Sequence, residues 1–478
     1  MNTTTATKPT TGVSSSHIQE KFAKLKENQF RIGNSTLRER KAKLDAFHKA
    51  VLAYRPQIKE ALFKDFRKHP SEVDLTEVYP VTSELKHAKS HLRKWMGKHR
   101  AKTPLSMLGS SSYVKYEPKG VVLIISPWNF PINLTFGPLV AAICAGNTVM
   151  IKPSENTPHA SALMKKIVEE VFDENEVTVV EGGVESAQEC LSLPFNHIFF
   201  TGAPSIGKIV MSAAAKNLTS VTLELGGLSP SIVDVTANVE TAARRIAWGK
   251  YLNNGQICIA PDYLYVHKKV KDQFVAEVKK NIQAFYTEDA SQESSYARMV
   301  NDRHYERVKS YVADAVDKGA TVHAGNTFDD SQNYIAPTLL TDVPQDSEVM
   351  KHEIFGPVMP VHEYEDLDHV IDKVNEKEKP LALYIYSKNQ KNIDHVLNNT
   401  RAGGSCINHN AVHFFNSNLP FGGSNNSGIG KGHGWYGFQA FSNPRGILKQ
   451  HIPNALEMLM PPYNDFKQKL IDLTIKYF

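Results

Sequence analysis

One cysteine of this chain lies in a setting that suits a nucleophile. Cys258 is part of the run 253–260 (NNGQICIA), between a helical pattern over 239–251 and an apolar strand pattern over 263–267. A reactive thiolate must be reachable by substrate, and nearby donors and backbone amides are expected to lower its pKa. Most lone cysteines, however, are small buried hydrophobes. Cys258 is therefore a candidate nucleophile, with a packing role as the alternative.

Two polar residues at other predicted strand ends could assist such a nucleophile. Glu224 lies in VTLELGG (221–227), where loss of hydration would raise its pKa towards that of a general base. Asn129 follows the apolar run 121–125 and could offer its side-chain amide to a developing oxyanion. The alternatives are a strand-edge glutamate paired with a lysine and an ordinary turn asparagine.

The surrounding pattern predicts two α/β domains with parallel sheets. Apolar strand runs alternate with helical segments, which is typical of βαβ units covered on both faces. The predicted strands of the first block are 121–125, 148–152, 178–180 and 198–200. The second block, 226–411, holds predicted strands at 263–267 and 381–386, and helices at 270–285 and 304–318. Because ligands bind such sheets at the carboxyl ends of the strands, the active site should lie in the cleft between the blocks.

A glycine turn after the strand run 198–200 could bind a pyrophosphate. Gly202 and Gly207 flank this turn, which then enters a helical pattern. A helix N-terminus offers free amides and the positive end of its dipole to an anion. Two glycines five apart are a weak signal by themselves, and the common GxGxxG fingerprint does not follow the run 121–125.

Taken together, these residues resemble the NAD(P)-dependent aldehyde dehydrogenase superfamily. The resemblance covers residues 19–450 and rests on Cys258, Glu224 and Asn129 together with several motifs in the family's order. These motifs are KPSE (152–155), FTG (200–202) through Gly207, EIFGP (353–357) and LPFGG (419–423). The runs PLALYIYS (380–387) and PPY (461–463), with a short N-terminal region before Phe30, resemble the class 3 branch that acts on fatty and aromatic aldehydes.

The resemblance implies a cofactor site for NAD, with NADP possible. Its residues would be Trp128, Lys152, Glu155, Gly202, Ser205, Gly207, Glu353 and Phe355. Lys152 and Glu155 would bracket the adenosine ribose, where a carboxylate accepts hydroxyl hydrogen bonds and repels a 2′-phosphate. Relatives often carry a hydroxyl or amide side chain at position 203. Ala203 cannot bond phosphate, so backbone amides and Ser205 should do so here.

The implied reaction is oxidation of an aldehyde to the carboxylic acid. Cys258 would form a thiohemiacetal and then a thioester, which water activated by Glu224 would hydrolyse. The bulky neighbours Ile257 and Ile259 suggest an apolar tunnel, and thus medium- or long-chain, aromatic or terpenoid aldehydes. The alternatives are an acylating or reducing member that makes aldehydes and a non-catalytic structural homologue. Glu224 favours hydrolysis, because relatives that transfer the acyl group generally lack a carboxylate there.

The resemblance also implies the domain division and a homodimer. Residues 1–100 and 117–225 would form the NAD(P)-binding domain, and 226–412 the catalytic domain. A small β oligomerisation arm would comprise 101–116 and 413–450, followed by a tail helix in 451–478. The tail's apolar stripe (Phe466, Leu470, Leu473, Tyr477) could cap the substrate tunnel or make weak contact with a membrane surface. Capping is the interpretation favoured here.

Composition excludes several other classes of protein. A hydrophobic content of 41% with 22% charged residues describes a globular enzyme. The net charge of +5 is spread along the chain, and the basic stretch 91–102 lacks the aromatic or glycine pattern of a nucleic-acid site. The threonine- and serine-rich first sixteen residues lack the apolar core of a secretory signal, and no run could span a bilayer.

The cysteines and histidines predict a cytoplasmic protein without a metal site. Four cysteines without paired spacing argue against disulfides and zinc, and for a reducing compartment. His409 and His413 are four apart, but they lie in a loop-like segment without an evident third ligand. His413 instead resembles a class 3 histidine near the substrate funnel.

Overall fold

The computed structural model describes residues 15–452 and 455–477. Of the threonine- and serine-rich first sixteen residues, only Ser15 and Ser16 lie within these ranges, and they begin the first helix. None of the helices in the two described ranges is long and apolar enough to cross a membrane.

Eighteen strands lie within the described ranges. In chain order they are β1 His99–Ala101, β2 Ser110–Pro118, β3 Val121–Ile125, β4 Thr148–Lys152, β5 Val177–Val179, β6 His197–Gly202, β7 Ser220–Leu225, β8 Pro230–Val233, β9 Tyr263–His267, β10 Thr321–Ala324, β11 Phe328–Asp329, β12 Tyr334–Ile335, β13 Thr338–Thr341, β14 Val358–Tyr364, β15 Ala382–Tyr386, β16 Gly404–Ile407, β17 Gly428–Ile429 and β18 Ser442–Gln450.

Seventeen α-helices of the described chain surround these strands. They are α1 Ser15–Gly33, α2 Leu37–Ala53, α3 Arg55–Phe66, α4 Pro70–Val73, α5 Tyr79–Trp95, α6 Asn133–Ala145, α7 Pro158–Val171, α8 Val184–Ser192, α9 Pro204–Ala215, α10 Val239–Tyr251, α11 Lys268–Tyr286, α12 Asp302–Asp317, α13 Glu348–Lys351, α14 Leu367–Asn375, α15 Gln390–Asn399, α16 Gly434–Ala440 and α17 Asp465–Tyr477. A π-helical turn, Asp74–Val78, joins α4 to α5. Single 3₁₀ turns lie at Leu105–Met107, Leu252–Gly255, Asp330–Gln332, Val412–Phe415 and Ala455–Leu459.

The first sheet has the order β17-β7-β6-β3-β4-β5 and is parallel except for β17. Successive residues of β3 alternate between two cores, because Val122 and Ile124 join one hydrophobic cluster while Val121 and Leu123 join another. Strands buried on both faces read as continuous apolar runs, which is why β3 was recognisable in the sequence. The predicted doubly wound sheet is confirmed.

The second sheet has the order β10-β13-β14-β9-β8-β15-β16, with only β10 antiparallel. Helices α10 and α12 pack on it, and each begins at an asparagine whose side chain accepts a first-turn N–H: Asn238 from Thr241, and Asn301 from His304, both at 3.0 Å. The fold class predicted for the second domain, a parallel sheet covered by helices, is thereby confirmed.

A third, antiparallel sheet of order β1-β2-β18 forms the predicted β arm. Its strands run two residues beyond the predicted 101–116 at each end. The segment 413–450 also reaches outside the arm, since β17 pairs with β7 and α16 packs on α5 and α6. In the tail 451–478, the α-helix occupies Asp465–Tyr477. The domain division itself stays a prediction.

Candidate active site

Cys258 follows a turn whose backbone is left-handed at three successive residues. Asn253, Asn254 and Gly255 have φ of 51°, 55° and 72°. Asparagine tolerates this conformation better than most residues, and a Cβ at position 255 would lie 2.2 Å from the Gly356 carbonyl oxygen. The sequence NNG therefore encodes a sharp turn between α10 and β9, and the half-buried Cys258 lies just beyond it.

Hydrogen bonds join this turn to the loop that carries Asn129. The Asn129 side chain donates to the Gln256 carbonyl oxygen at 3.1 Å. In return, the Asn253 side chain donates to the Asn129 carbonyl oxygen at 3.0 Å and to the Gln256 carbonyl at 3.1 Å. Asn129 is 3% exposed, so its second amide N–H is held next to the nucleophile turn. The structure thus brings Asn129 and Cys258 together as predicted.

The predicted lowering of the Cys258 pKa is wrong. Burial raises the pKa of the thiol well above its usual range, and the nearby Glu353 and Glu224 raise it further. The backbone N–H groups of Cys258 and Ile259 act in the opposite direction. The expectation failed because the sequence shows the small, polar neighbours of the cysteine but neither the depth of the cleft nor the two carboxyl groups.

Glu224 has the electrostatic character that the sequence predicted. Burial raises its pKa to about 8, and Lys431 lowers it by a smaller amount. Both carboxyl oxygens are buried without a hydrogen-bond partner. Lys431 does not bond the carboxylate directly, since its ammonium donates to the carbonyl oxygens of Gly403, Gly422 and Gly423. The alternative of a strand-edge glutamate in a salt bridge is therefore wrong.

Two cavities meet at Cys258 and Glu224. The first, called here the aromatic cavity, comprises about 830 Å³ of space, part of it open to solvent. Its lining includes Tyr79, Phe199, Phe414, Phe415, Phe421 and Phe441. The second, called here the strand-end cleft, comprises about 790 Å³, also partly open to solvent, and is lined by Trp128, Gly202, Glu353 and Phe355 among others. A molecule in either space can reach the same thiol and the same carboxyl group.

The strand-end cleft fits the ribose and nicotinamide end of a dinucleotide. Glu353 Oε1 is buried without a partner, so it is a free acceptor for a ribose hydroxyl, and burial raises the pKa of this carboxyl to about 8. A Cβ at position 226 would lie 2.1 Å from Glu353 Oε2, so Gly226 leaves the space that the carboxyl group occupies. Trp128 and Phe355 meet edge to face at 5.2 Å between ring centroids, forming an aromatic wall.

The other four predicted cofactor residues do not line this cleft. Gly207 lies inside α9, where a Cβ would approach Leu225 to 2.7 Å, so its role is close packing of helix on strand. Ser205 is exposed in the first turn of α9. Lys152 is buried and donates to Glu155 at 3.2 Å and to the Pro153 carbonyl at 2.7 Å. This holds the exposed Glu155 carboxylate beside the end of β4.

Several residues of the site were not found from the sequence. The histidine that lines the aromatic cavity is His433, packed on Phe414 at 4.4 Å between ring centroids. His413 lies one layer further out: its ring packs on Phe421 of the cavity wall at 5.8 Å between centroids, and its Nδ1 lies 3.2 Å from Cys406 Sγ. Its predicted place near the substrate funnel stays a prediction. His409 instead contacts the backbone of Asn410, so the two histidines have different partners.

A buried charged group next to Asn129 also went unnoticed. Lys68 donates to Glu77 Oε1 at 3.0 Å and to the Asn129 carbonyl oxygen at 3.2 Å. The sequence around Lys68 is typical of a charged, exposed helix. Its burial next to Asn129 becomes evident only from the contact between these two residues, which are more than sixty positions apart.

Comparison with known proteins agrees with this geometry. The model of the aldehyde dehydrogenase family matches residues 3–447. The 4,4'-diaponeurosporen-aldehyde dehydrogenase of Staphylococcus aureus is 41% identical over 89% of this chain and 92% of its own. The dimeric NADP-preferring aldehyde dehydrogenase of Rattus norvegicus is 42% identical over 88% and 91%.

A solved structure agrees as well. The substrate-bound state of Staphylococcus aureus AldH superposes with a TM-score of 0.92 at 39% identity, covering 96% of this chain and 99% of that one. The chain therefore belongs to the aldehyde dehydrogenase family, in its class 3 branch, as an NAD(P)-dependent enzyme that oxidises an aldehyde to the carboxylic acid.

Proposed function

We propose that Cys258, Glu224 and Asn129 perform this oxidation on hydrophobic aldehydes. The observation that carries the proposal is the aromatic cavity, whose apolar walls end at a thiol and at a carboxyl group with a pKa of about 8. Burying an apolar substrate in such a space contributes about 25 cal/mol per Å² of apolar surface removed from water. Medium- or long-chain, aromatic and terpenoid aldehydes are the classes that fit.

The first step is attack of the Cys258 sulfur on the carbonyl carbon. The thiol must first lose its proton, which passes to water reaching it through the strand-end cleft, and the backbone N–H groups of Cys258 and Ile259 are the donors that favour the thiolate. Attack moves negative charge onto the carbonyl oxygen. The free amide N–H of Asn129 and the Cys258 backbone N–H then stabilise this oxyanion.

Collapse of the tetrahedral adduct leaves a thioester on Cys258. A nicotinamide cofactor bound in the strand-end cleft would supply the hydride acceptor, because side chains offer none. Glu353 would bind its ribose, and Trp128, Gly202 and Phe355 would form the walls around it.

The last step is hydrolysis of the thioester. Glu224 lines both cavities, so in its carboxylate form it can take a proton from water next to the acyl carbon. Lys431 helps to keep that form accessible, since its charge lowers the pKa of Glu224.

NAD is the preferred cofactor in this proposal, with NADP as an alternative. The Glu155 carboxylate is exposed and held by Lys152 at 3.2 Å, where it would accept ribose hydroxyls. A 2′-phosphate at the same place would meet a like charge and lose the two hydrogen bonds.

The direct test is cofactor reduction with a hydrophobic aldehyde and no coenzyme A. We expect reduced NAD to accumulate with an equal amount of free acid, and faster turnover with NAD than with NADP. In Glu155→Gln the two cofactor rates should approach each other. A strict requirement for coenzyme A would indicate the acylating alternative, and inactivity with a reduced Cys258 would indicate the non-catalytic one.

Replacing Asn129 tests the oxyanion site. In Asn129→Ala the rate of thioester formation should fall by about 100- to 1,000-fold, the loss typical for one oxyanion donor. The measurement is the pre-steady-state appearance of reduced cofactor. The control is Asn281→Ala, since Asn281 is a buried asparagine of α11 whose amide donates to the Glu277 carbonyl oxygen and lines neither cavity. Full activity of Asn129→Ala would remove this residue from the mechanism.

A homodimer in the cytoplasm is the expected state of the enzyme. The long strand β18 lies at the edge of the three-stranded sheet, where a strand from a second copy could be added. Residues of α17 such as Phe466 and Ile475 are 63% and 77% exposed, and α17 does not line the aromatic cavity of its own chain. Capping by this helix would therefore need a partner subunit, and weak contact with a membrane surface remains the alternative.

A further inference from the structure

We propose that the buried ion pair Lys68–Glu77 is a positioning device that fixes Asn129 relative to Cys258. Neither residue lines the aromatic cavity or the strand-end cleft. Both bond main-chain groups of the segment that carries the oxyanion donor Asn129, whose side chain in turn bonds the turn before the nucleophile. The inference rests on the proposed role of Asn129 and deepens it.

The pair is fully enclosed. Lys68 and Glu77 are both 0% exposed, and the ammonium lies 4.3 Å from the ring centroid of Phe130 and 4.8 Å from that of Phe66. Removing two charges from water costs several kcal/mol per ion in proteins, and apolar residues of similar volume are often equally stable or more stable. Stability alone is therefore a poor reason for this arrangement.

Each partner also bonds the main chain on one side of the Asn129 loop. Lys68 Nζ donates to the Asn129 carbonyl oxygen at 3.2 Å, at the end of the loop that follows β3. Glu77 Oε2 accepts the backbone N–H of Asn133 at 2.9 Å, in the first turn of α6. The ion pair thus fixes both ends of the five-residue segment that presents the Asn129 side chain.

The segment that carries Lys68 and Glu77 also bonds the turn 253–255, which precedes the nucleophile Cys258. Glu72, in α4, accepts the backbone N–H of Asn253 at 3.0 Å, and burial raises its pKa to about 7. Asn253 in turn donates its side-chain amide to the Asn129 carbonyl oxygen, which therefore accepts from both Asn253 and Lys68. Residues 68–77 thus bond both loops at once.

The π-helical turn Asp74–Val78 explains how one short segment serves both loops. The wider π turn inserts an extra residue into a helical path, and such turns are frequent at functional sites. Here Glu72 and Glu77, five residues apart, both point inward to the two loops, while Asp74 between them binds the half-exposed Arg55.

A double-mutant cycle with Asn129 tests the inference. Lys68→Met should slow the burst of reduced cofactor by about 10- to 100-fold with little change in the KM for aldehyde, because a misplaced oxyanion donor affects the transition state selectively. In the Asn129→Ala background the same substitution should cost no more than about 2-fold, since the group it positions is already absent.

Controls separate this role from a general loss of structure. Lys68→Met leaves Glu77 unpaired in the interior, so the double variant Lys68→Met/Glu77→Leu, which buries no lone charge, is measured beside it and should show the same slow burst. Lys21→Met is the matched control, because Lys21 is 7% exposed and bonds Glu174 and Thr178 away from the site. Its burst should equal that of the wild type.

The outcomes are distinguishable from failure of the proposed function. If Asn129→Ala is fully active, the oxyanion role of Asn129 is wrong. If Asn129→Ala is slow but the Lys68 substitutions leave the burst unchanged, or slow it by the same factor with and without Asn129, the positioning role alone is overturned.

Discussion

Cys258→Ala should reduce aldehyde oxidation by at least about 10,000-fold, as expected when a covalent nucleophile is removed. Alanine removes only the sulfur, and the left-handed turn before it is held by its own hydrogen bonds to Asn129 and Gln256. The variant should therefore fold normally and still bind NAD. Initial rates of cofactor reduction and a fluorescence titration with NAD measure the two properties separately.

Cys190→Ala is the matched control for that loss. Cys190 is fully buried, and its sulfur lies 3.8 Å from Met150 Sδ in the core of the first sheet. The substitution should lower stability slightly and leave the rate unchanged. Retention of more than a few per cent of activity in Cys258→Ala, with normal NAD binding in both variants, would contradict the covalent mechanism.

The sequence predicted the residues at strand ends well, for a physical reason. A parallel strand buried on both faces must be a continuous apolar run, so β3 and β9 could be predicted with their observed bounds. A polar residue that follows such a run, as Asn129 does, is therefore easy to recognise in the sequence. The turn before Cys258, which was not predicted, also has a local cause in the sequence, because NNG favours left-handed backbone.

Contacts between distant segments could not be predicted in this way. Lys68 and Glu77 belong to a charged helical pattern whose exposed and buried sides have similar compositions. The main-chain groups that they bond, at Asn129 and Asn133, are about sixty residues away in the sequence. That His433 lines the aromatic cavity, while His413 packs behind Phe421, could not be predicted for a similar reason. Both histidines lie in glycine- and asparagine-rich loops without periodicity, so nothing in the sequence indicates which one lines the cavity.

The pKa of Cys258 shows how the site balances opposite requirements. In the proposed mechanism Glu224 and Glu353 must lie close to the reacting centre inside a buried cleft, yet burial of the thiol, followed by the proximity of these two carboxyl groups, raises the pKa of Cys258. The backbone N–H groups next to Cys258 offset part of this effect. The free enzyme should consequently react slowly with iodoacetamide at pH 7, and faster as the pH rises.

Glu224→Gln should stop the enzyme after the first hydride transfer. Glutamine keeps the size of the side chain but cannot accept a proton from water, so the Cys258 thioester should accumulate. The expected record is a burst of reduced cofactor close to one equivalent per subunit, followed by turnover slowed by about 100-fold or more, within the range that general bases contribute. Mass spectrometry of the quenched protein should find the acyl group on Cys258.

The pH dependence gives this prediction a second test. A general base works only when deprotonated, and the pKa of Glu224 is raised to about 8 by burial. Hydrolysis of the isolated thioester should therefore speed up by about tenfold between pH 7 and 9 and level off above the pKa, whereas the Gln variant should lack this titration. Lys431→Met removes the charge that lowers this pKa, so its titration should move to higher pH. Unchanged steady-state turnover in Glu224→Gln, or an identical pH profile in both proteins, would assign hydrolysis to another group.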